Sequence, residues 1–353
     1  MNRRRFLGLL AASGPVPHLL GGTVRWDAGM PDAPSAGAPV RPPAPSLLVP
    51  MDDAQTNHLK AYGIAYAAIA RTGRVEWLLN YRGGSFLLAD DAAARRAATL
   101  AGVAVEPVGD AAVIAIRGTI DQNNMDAIVL ERTPRVAIYS PPFAAPWDDA
   151  VTMALQYAEI PFTKVWDAEV AAGRLREADW LHLHHEDFTG QYSKFFLNYA
   201  GAPWLAEMVD RNQAMARQLG FPHVPALKKA VALRIRQFAE QGGFLFAMCT
   251  ATETLELALA AHDVDIAASF ADGTPMDADA SARLDWTAAL ACQGARLETA
   301  PAVPSFSDID GHQVNSPGRR QPLGAFTLFN FSAKIDPVPA MLVQCHRQVI
   351  PDF

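Results

Sequence analysis

Apolar and polar positions change period several times along this chain, and each change marks an element. Leu47-Leu48-Val49 is a short apolar run and reads as a strand. Leu59, Tyr62, Tyr66 and Ile69 then recur at helical spacing, and Gly73 stops the run. Val75 to Tyr81 and Ser85 to Leu88 read as strands split by Arg82-Gly83-Gly84. Asp91 to Ala101 reads as an alanine-rich helix and Val113 to Ile116 as one more strand. This alternation predicts an N-terminal α/β section over residues 46–132.

A second series follows. Val136-Ala137-Ile138-Tyr139, Phe162 to Trp166 and Asp179 to His184 read as strands. Asp148 is placed to cap a helix carrying Val151, Leu155 and Ala158. Tyr192 to Gly220 is mostly helical by pattern, and Pro225 opens a helix with the stripe Leu227, Val231, Ile235 and Phe238. Gly242-Gly243 end that helix. Phe244 to Met248 then read as a buried strand stopping at Cys249, and Thr250 to Glu253 as the first turn of the next helix. This order calls for a mostly parallel sheet with helices on both faces over residues 133–353. Ligands of such sheets bind at the carboxyl ends of the strands, where the strand order reverses. Asp272 to Asp285 and Pro301 to Gly324 read as loops, and Ala325 to Phe331 and Met341 to Val349 as late strands.

Composition narrows the function classes. Half of the 353 residues are apolar, which allows a sizeable core. The formal net charge of -7 argues against nucleic acid as a partner. Cys249, Cys292 and Cys345 are too few for a disulfide framework. Residues 1–45 read as an export signal followed by a linker with six prolines between 31 and 45. Within it, Arg3-Arg4 followed by Phe6-Leu7 resembles the twin-arginine signal, which implies export to the periplasm; the bland alternative is a basic, disordered N-terminus. No membrane span is expected once the signal is removed. Oligomeric state is open.

Cys249 is the first chemical candidate. A nucleophile on a sharp strand-to-helix turn projects from the sheet edge, and its near neighbours must be small, as Ala247 and Ala251 are. A helix N-terminus also favours thiolate. The alternative is an inert cysteine ending a core strand. The second candidate is His182-Leu183-His184-His185-Glu186-Asp187 at the end of the third strand. His184 or His185 could act as base to Cys249, with Glu186 orienting the ring and Asp187 meeting substrate. The same residues could hold a divalent metal, or form a satisfied polar edge. No other cofactor is expected, and the expected partner is a small-molecule substrate. Asp52, Asn57 and His58 face the same cleft or simply cap a helix. Arg82-Gly83-Gly84-Ser85 holds an anion or is a plain glycine turn. His312 is either a downstream triad partner or a surface-loop histidine.

Phe238 to Glu253, with its helix, double glycine, apolar strand and elbow cysteine, resembles the class I glutamine amidotransferase-like fold, a flavodoxin-like three-layer arrangement. The likeness covers roughly residues 134–290. It implies a Cys–His–Glu hydrolase or amidotransferase with Cys249 as nucleophile; alanines stand where the family carries flanking glycines, and its downstream His-x-Glu is not present. From Leu47 onward the chain is similar to bacterial proteins often labelled asparagine synthetase B, through Pro50 to Lys60 and His184 to Tyr192. That enzyme works with an N-terminal cysteine and an ATP pyrophosphate loop, and neither is readable here. The resemblance also implies a chain shortened after Phe353, without a Gly-Gly-His-Asp segment that could carry a triad histidine. A non-catalytic ligand- or metal-binding module on the same fold is the alternative function.

Overall fold

The computed structural model describes residues 45–143, 150–300, 303, 305–309, 325–327 and 349–351. The protein is a mixed α/β chain that divides into two compact units. The first takes in the described residues up to Thr56, Arg74–Leu130 and the two late strands; the second takes in Asn57–Gly73 and the described residues between 131 and 309. The helix after Asn57 thus groups with the second unit, although the sequence pattern puts it in the first.

In the first unit, β1 (Ser46–Val49), β2 (Val75–Leu79), β3 (Phe86–Ala89), β4 (Glu106–Val108) and β5 (Asp126–Leu130) form one sheet in the order β4-β1-β3-β2-β5. Every pairing in it is antiparallel. The expected strand Val113 to Ile116 lies instead inside a helix, Asp110–Gln122, whose Ile116 and Ile120 are buried against Leu48, Leu78 and Leu87. A four-residue apolar run carries no period of its own; the burial of Ile120, one helical turn on, identifies this one as helix. The late strands pair antiparallel over Ala325–Thr327 and Val349–Pro351, and the rest of both expected strands lies outside the described residues.

In the second unit, α1 (His58–Thr72) forms where expected, between an Asn57 N-cap and a left-handed Gly73 C-cap. We label the first unit's helices α2 (Ala92–Ala101) and α3 (Asp110–Gln122). The buried face of α1 is Ala61, Ile64, Ala65, Ala68 and Ile69, whereas Leu59 is exposed. Small residues are needed there because α1 approaches α4 (Ala150–Ala158) closely: a Cβ on Gly63 would meet the Ala158 carbonyl oxygen at 1.8 Å. Asp148, the expected cap, lies outside the described residues.

The sheet of this unit is wholly parallel. Its strands β6 (Val136–Tyr139), β7 (Phe162–Val165), β8 (Trp180–Leu183) and β9 (Phe244–Ala247) run in the order β7-β6-β8-β9. From β6 the chain turns one way to β7, then crosses to the other side for β8 and β9. The order therefore reverses between β6 and β8, and their carboxyl ends open a crevice. Leu181 and Leu183 point into the core with Tyr139 and Phe188, while His182 faces the opposite side and stacks on Phe246. The core is closed by α5 (Asp167–Ala171), α7 (Pro203–Gln218), α8 (Val224–Glu240) and α9 (Thr250–Ala260), with the short α6 (Phe196–Tyr199) leading into α7. Leu227, Val231, Ile235 and Phe238 of α8 are all buried, as the stripe predicts. The strand Phe244 to Met248 is not buried on both faces, contrary to its sequence: β9 is the edge strand, and Phe244 and Phe246 are 58% and 44% exposed.

Candidate active site and adjoining cavity

Two features meet the carboxyl edge of the parallel sheet. The first is the turn at Cys249. Met248 N–H donates to the Leu183 carbonyl at 3.2 Å, and Ala251 N–H to the His184 carbonyl at 3.4 Å, so the turn is tied to the end of β8. Between them Cys249 caps α9 with φ 53 and ψ -143, and its side chain is exposed. Positive φ in a residue with a Cβ costs on the order of 1–3 kcal/mol and persists only where the surroundings impose it. Here the parallel strand behind and the helix ahead impose it. Such a turn is the geometry of a nucleophile elbow. Among the described residues, the Cys249 Sγ makes its hydrogen-bond contact with Thr250 Oγ1, at 3.8 Å.

The histidine loop follows β8 directly. His184 and His185 rings meet edge to face at 4.7 Å, with His185 exposed and His184 half-buried. The His184 Nδ1 is buried without a hydrogen-bond partner among the described residues. Glu186 accepts the backbone N–H of His184 at 2.9 Å, and its own carbonyl accepts Thr254 Oγ1 of α9 at 2.8 Å. Asp187 organises the rest of the loop. Its carboxylate accepts Thr189 N–H and Oγ1–H on one oxygen and the N–H groups of Gln191 and Ser193 on the other. Gly190 is required between them: its φ is +75, and a Cβ there would lie 2.7 Å from Pro225. Beyond it, Tyr192, Ser193 and Lys194 are three successive left-handed residues, at φ 53, 54 and 57. Lys194 holds that run by donating to the Glu298 and Ser305 carbonyls at 3.0 and 2.7 Å. Burial pushes its pKa down.

The second feature is a cavity of about 500 Å3 beyond β6, β7 and β8, reached by Pro141, Trp166 and the loop His185 to Asp187. It sits at the order reversal where the sequence pattern places a ligand. Its floor is a buried ionic network. The Lys228 Nζ donates to Asp167 Oδ1 and to the Tyr139 hydroxyl, each at 2.9 Å, and lies 2.9 Å from the second Asp167 oxygen. Tyr139 in turn donates to Asp167. The ammonium also lies 3.8 Å from the Trp166 ring centroid. Burial, with the Asp167 charge beside it, pushes the Tyr139 phenol well above its ordinary pKa.

Sequence reasoning missed this network. The readable signal is Lys228 itself, a lysine on the apolar face of α8, one turn after Val224 and just before Val231. It also missed Glu253 and Glu256, both buried on α9. Glu256 accepts the N–H groups of Leu290, Ala291 and Cys292, while Glu253 accepts Phe306 N–H and Ser307 Oγ–H. The segment at Cys292 is therefore not the packed helix its alanines suggest; it is a bent, irregular stretch pinned to a carboxylate. Burial and that carboxylate push the Cys292 thiol pKa up.

Asp52 belongs to the first unit, where Arg82 bridges it to Glu106 at 2.7 and 2.8 Å. Partial burial pushes the Asp52 pKa up, but its bonds to Arg82 and to Ala54 N–H prevail and hold it below the ordinary value. The Arg82-Gly83-Gly84-Ser85 stretch is a tight turn: a Cβ on Gly83 would meet the Met51 carbonyl oxygen at 2.3 Å. Asn57 belongs to the second unit, accepting Lys60 N–H at 3.1 Å and donating to the Tyr157 hydroxyl at 2.6 Å. His58 is the first residue of α1. His312 and Cys345 lie outside the described residues. Among the described residues no three His, Cys, Asp or Glu side chains come together as a metal site, and no helix is long and apolar enough to cross a membrane. Comparisons with protein-family models, curated proteins and solved structures find no match for this chain.

Proposed function

We propose that the protein is an exported, cysteine-dependent hydrolase or amide-transfer protein acting on a small substrate, on a class I glutamine amidotransferase-like, flavodoxin-like domain. The backbone of Cys249 carries this reading: an exposed thiol at φ 53 and ψ -143, between a parallel strand and a helix N-terminus. In this reading His184 or His185, at the end of the neighbouring strand, takes the thiol proton. The sulfur attacks the substrate carbonyl, the amine leaves with that proton, and water or a second amine cleaves the thioester. The N-terminal end of α9 favours the negative charge that develops on oxygen. Export rests on Arg3-Arg4 and Phe6-Leu7, which lie outside the described residues.

Alkylation by iodoacetamide with peptide mapping tests the nucleophile. Cys249 should label several-fold faster than Cys292 and Cys345 in the folded protein, and His184→Ala with His185→Ala should slow it. Equal labelling of all three cysteines would make Cys249 a structural residue. A second reading, a ligand-binding module, draws on one observation: the described lining of the switch-point cavity includes neither Cys249 nor His184.

A further inference from the structure

The cavity at the order reversal is walled largely by aromatic rings and carries charges of both signs. Five aromatic rings line it: Phe143, Trp166, Tyr192, Phe195 and Trp204. Two of these rings already carry cations of the protein. Lys228 lies over Trp166 at 3.8 Å and Arg211 over Phe143 at 5.0 Å. Each of those cations has its own acid, Asp167 for Lys228 and Glu207 for Arg211. Phe195 and Trp204 are left partly exposed, packed edge to face at 5.6 Å.

The loop carboxylates add a negative field. Glu186 and Asp187 both line the cavity. Burial, with the Asp187 and Asp210 charges nearby, pushes the phenol of Tyr192 on this wall up to about 12. Asp187, however, offers charge without an open acceptor, because its two oxygens already take four donors of their own loop. A primary ammonium brings three N–H donors and would leave them unmatched there. A quaternary ammonium has no donor to satisfy, and its methyl groups suit aromatic faces. The wall is also preformed, since Tyr192 and Ser193 stand in the strained left-handed run that Asp187 and Lys194 hold in place.

We infer that this cavity binds a small quaternary ammonium group by cation–π contact with the exposed parts of its aromatic wall, Phe195 and Trp204, beside the carboxylates Glu186 and Asp187. The inference is independent of the role of Cys249. The group could arrive as a free solute or as a lipid headgroup, and both present the same trimethylammonium chemistry.

Calorimetric titration of the full chain with choline, its neutral isostere 3,3-dimethylbutan-1-ol and the primary amine ethanolamine tests it. Choline should bind with a dissociation constant of about 1 mM or tighter, and each of the other two at least about tenfold more weakly. Trp204→Ala or Phe195→Ala should weaken choline by about 5- to 30-fold, the worth of one ring face. Both residues are partly exposed, so folding should survive, and Cys249→Ser should bind as the unaltered protein does. Co-sedimentation with phosphatidylcholine vesicles, but not phosphatidylglycerol vesicles, would assign the headgroup; choline binding without it would assign the free solute. Equal affinity for choline and the isostere, tighter binding of ethanolamine, or no choline heat up to about 10 mM would overturn the inference.

Discussion

Lys228→Met removes the ammonium at the centre of the buried network. The lysine and Asp167 side chains are 5% and 0% exposed, and both carboxylate oxygens lie 2.9 Å from the nitrogen. The substitution keeps most of the side-chain volume but leaves the carboxylate buried without its counter-ion. That situation costs about 3–5 kcal/mol in measured cases. The loss is local to α5, α8 and the end of β6, so it falls on the second unit. For a unit of this size about 3–5 kcal/mol corresponds to a fall of roughly 6–20 °C in Tm. Replacing both partners, as Lys228→Met with Asp167→Leu, removes the stranded charge and should restore most of the loss. The assay is thermal unfolding followed by tryptophan fluorescence, since Trp166 borders the network. Single-variant losses below about 1 kcal/mol, or a double variant no better than the single one, would refute the account of Lys228 as the counter-ion of a desolvated Asp167.

Three further outcomes are expected. The Tyr139 phenol holds its proton in the native state above the pH at which the unfolded chain releases it, so this part of the stability is complete below about pH 10 and is lost as pH rises toward the raised native value; urea midpoints between about pH 8 and 11 should fall, and less steeply in Tyr139→Phe. Gly190→Ala should destabilise by more than about 1 kcal/mol, because it meets both a left-handed φ of +75 and a 2.7 Å contact with Pro225; an unchanged Tm would contradict the turn geometry. Glu256→Ala leaves the N–H groups of Leu290, Ala291 and Cys292 without their acceptor, at a cost of about 1–3 kcal/mol. In that variant Cys292 should alkylate faster than in the unaltered protein, and no change in rate would argue against the pin.

How much of this was written in the sequence depends on the range of each interaction. The four parallel strands, the stripe of α8 and the junction at Cys249 are local patterns, and the sequence by itself determined where they fall. Strand alternation also separated Leu181 and Leu183 from His182 before any contact was known. The sequence did not determine which strand lies at an edge: Phe244 and Phe246 look like core residues, and only the order β7-β6-β8-β9 exposes them. Nor did it separate helix from strand at Val113 to Ile116, where the apolar run is too short to carry a period. The ionic floor of the cavity joins Tyr139, Asp167 and Lys228, which are far apart in sequence and each unremarkable in its own segment. Asp187 reads as a candidate substrate ligand in sequence, and only the folded loop turns its four donors onto it. The physical reason is common to these cases. Periodicity and capping act within one turn or one strand and are legible residue by residue, whereas burial and charge pairing depend on which segments the topology brings together.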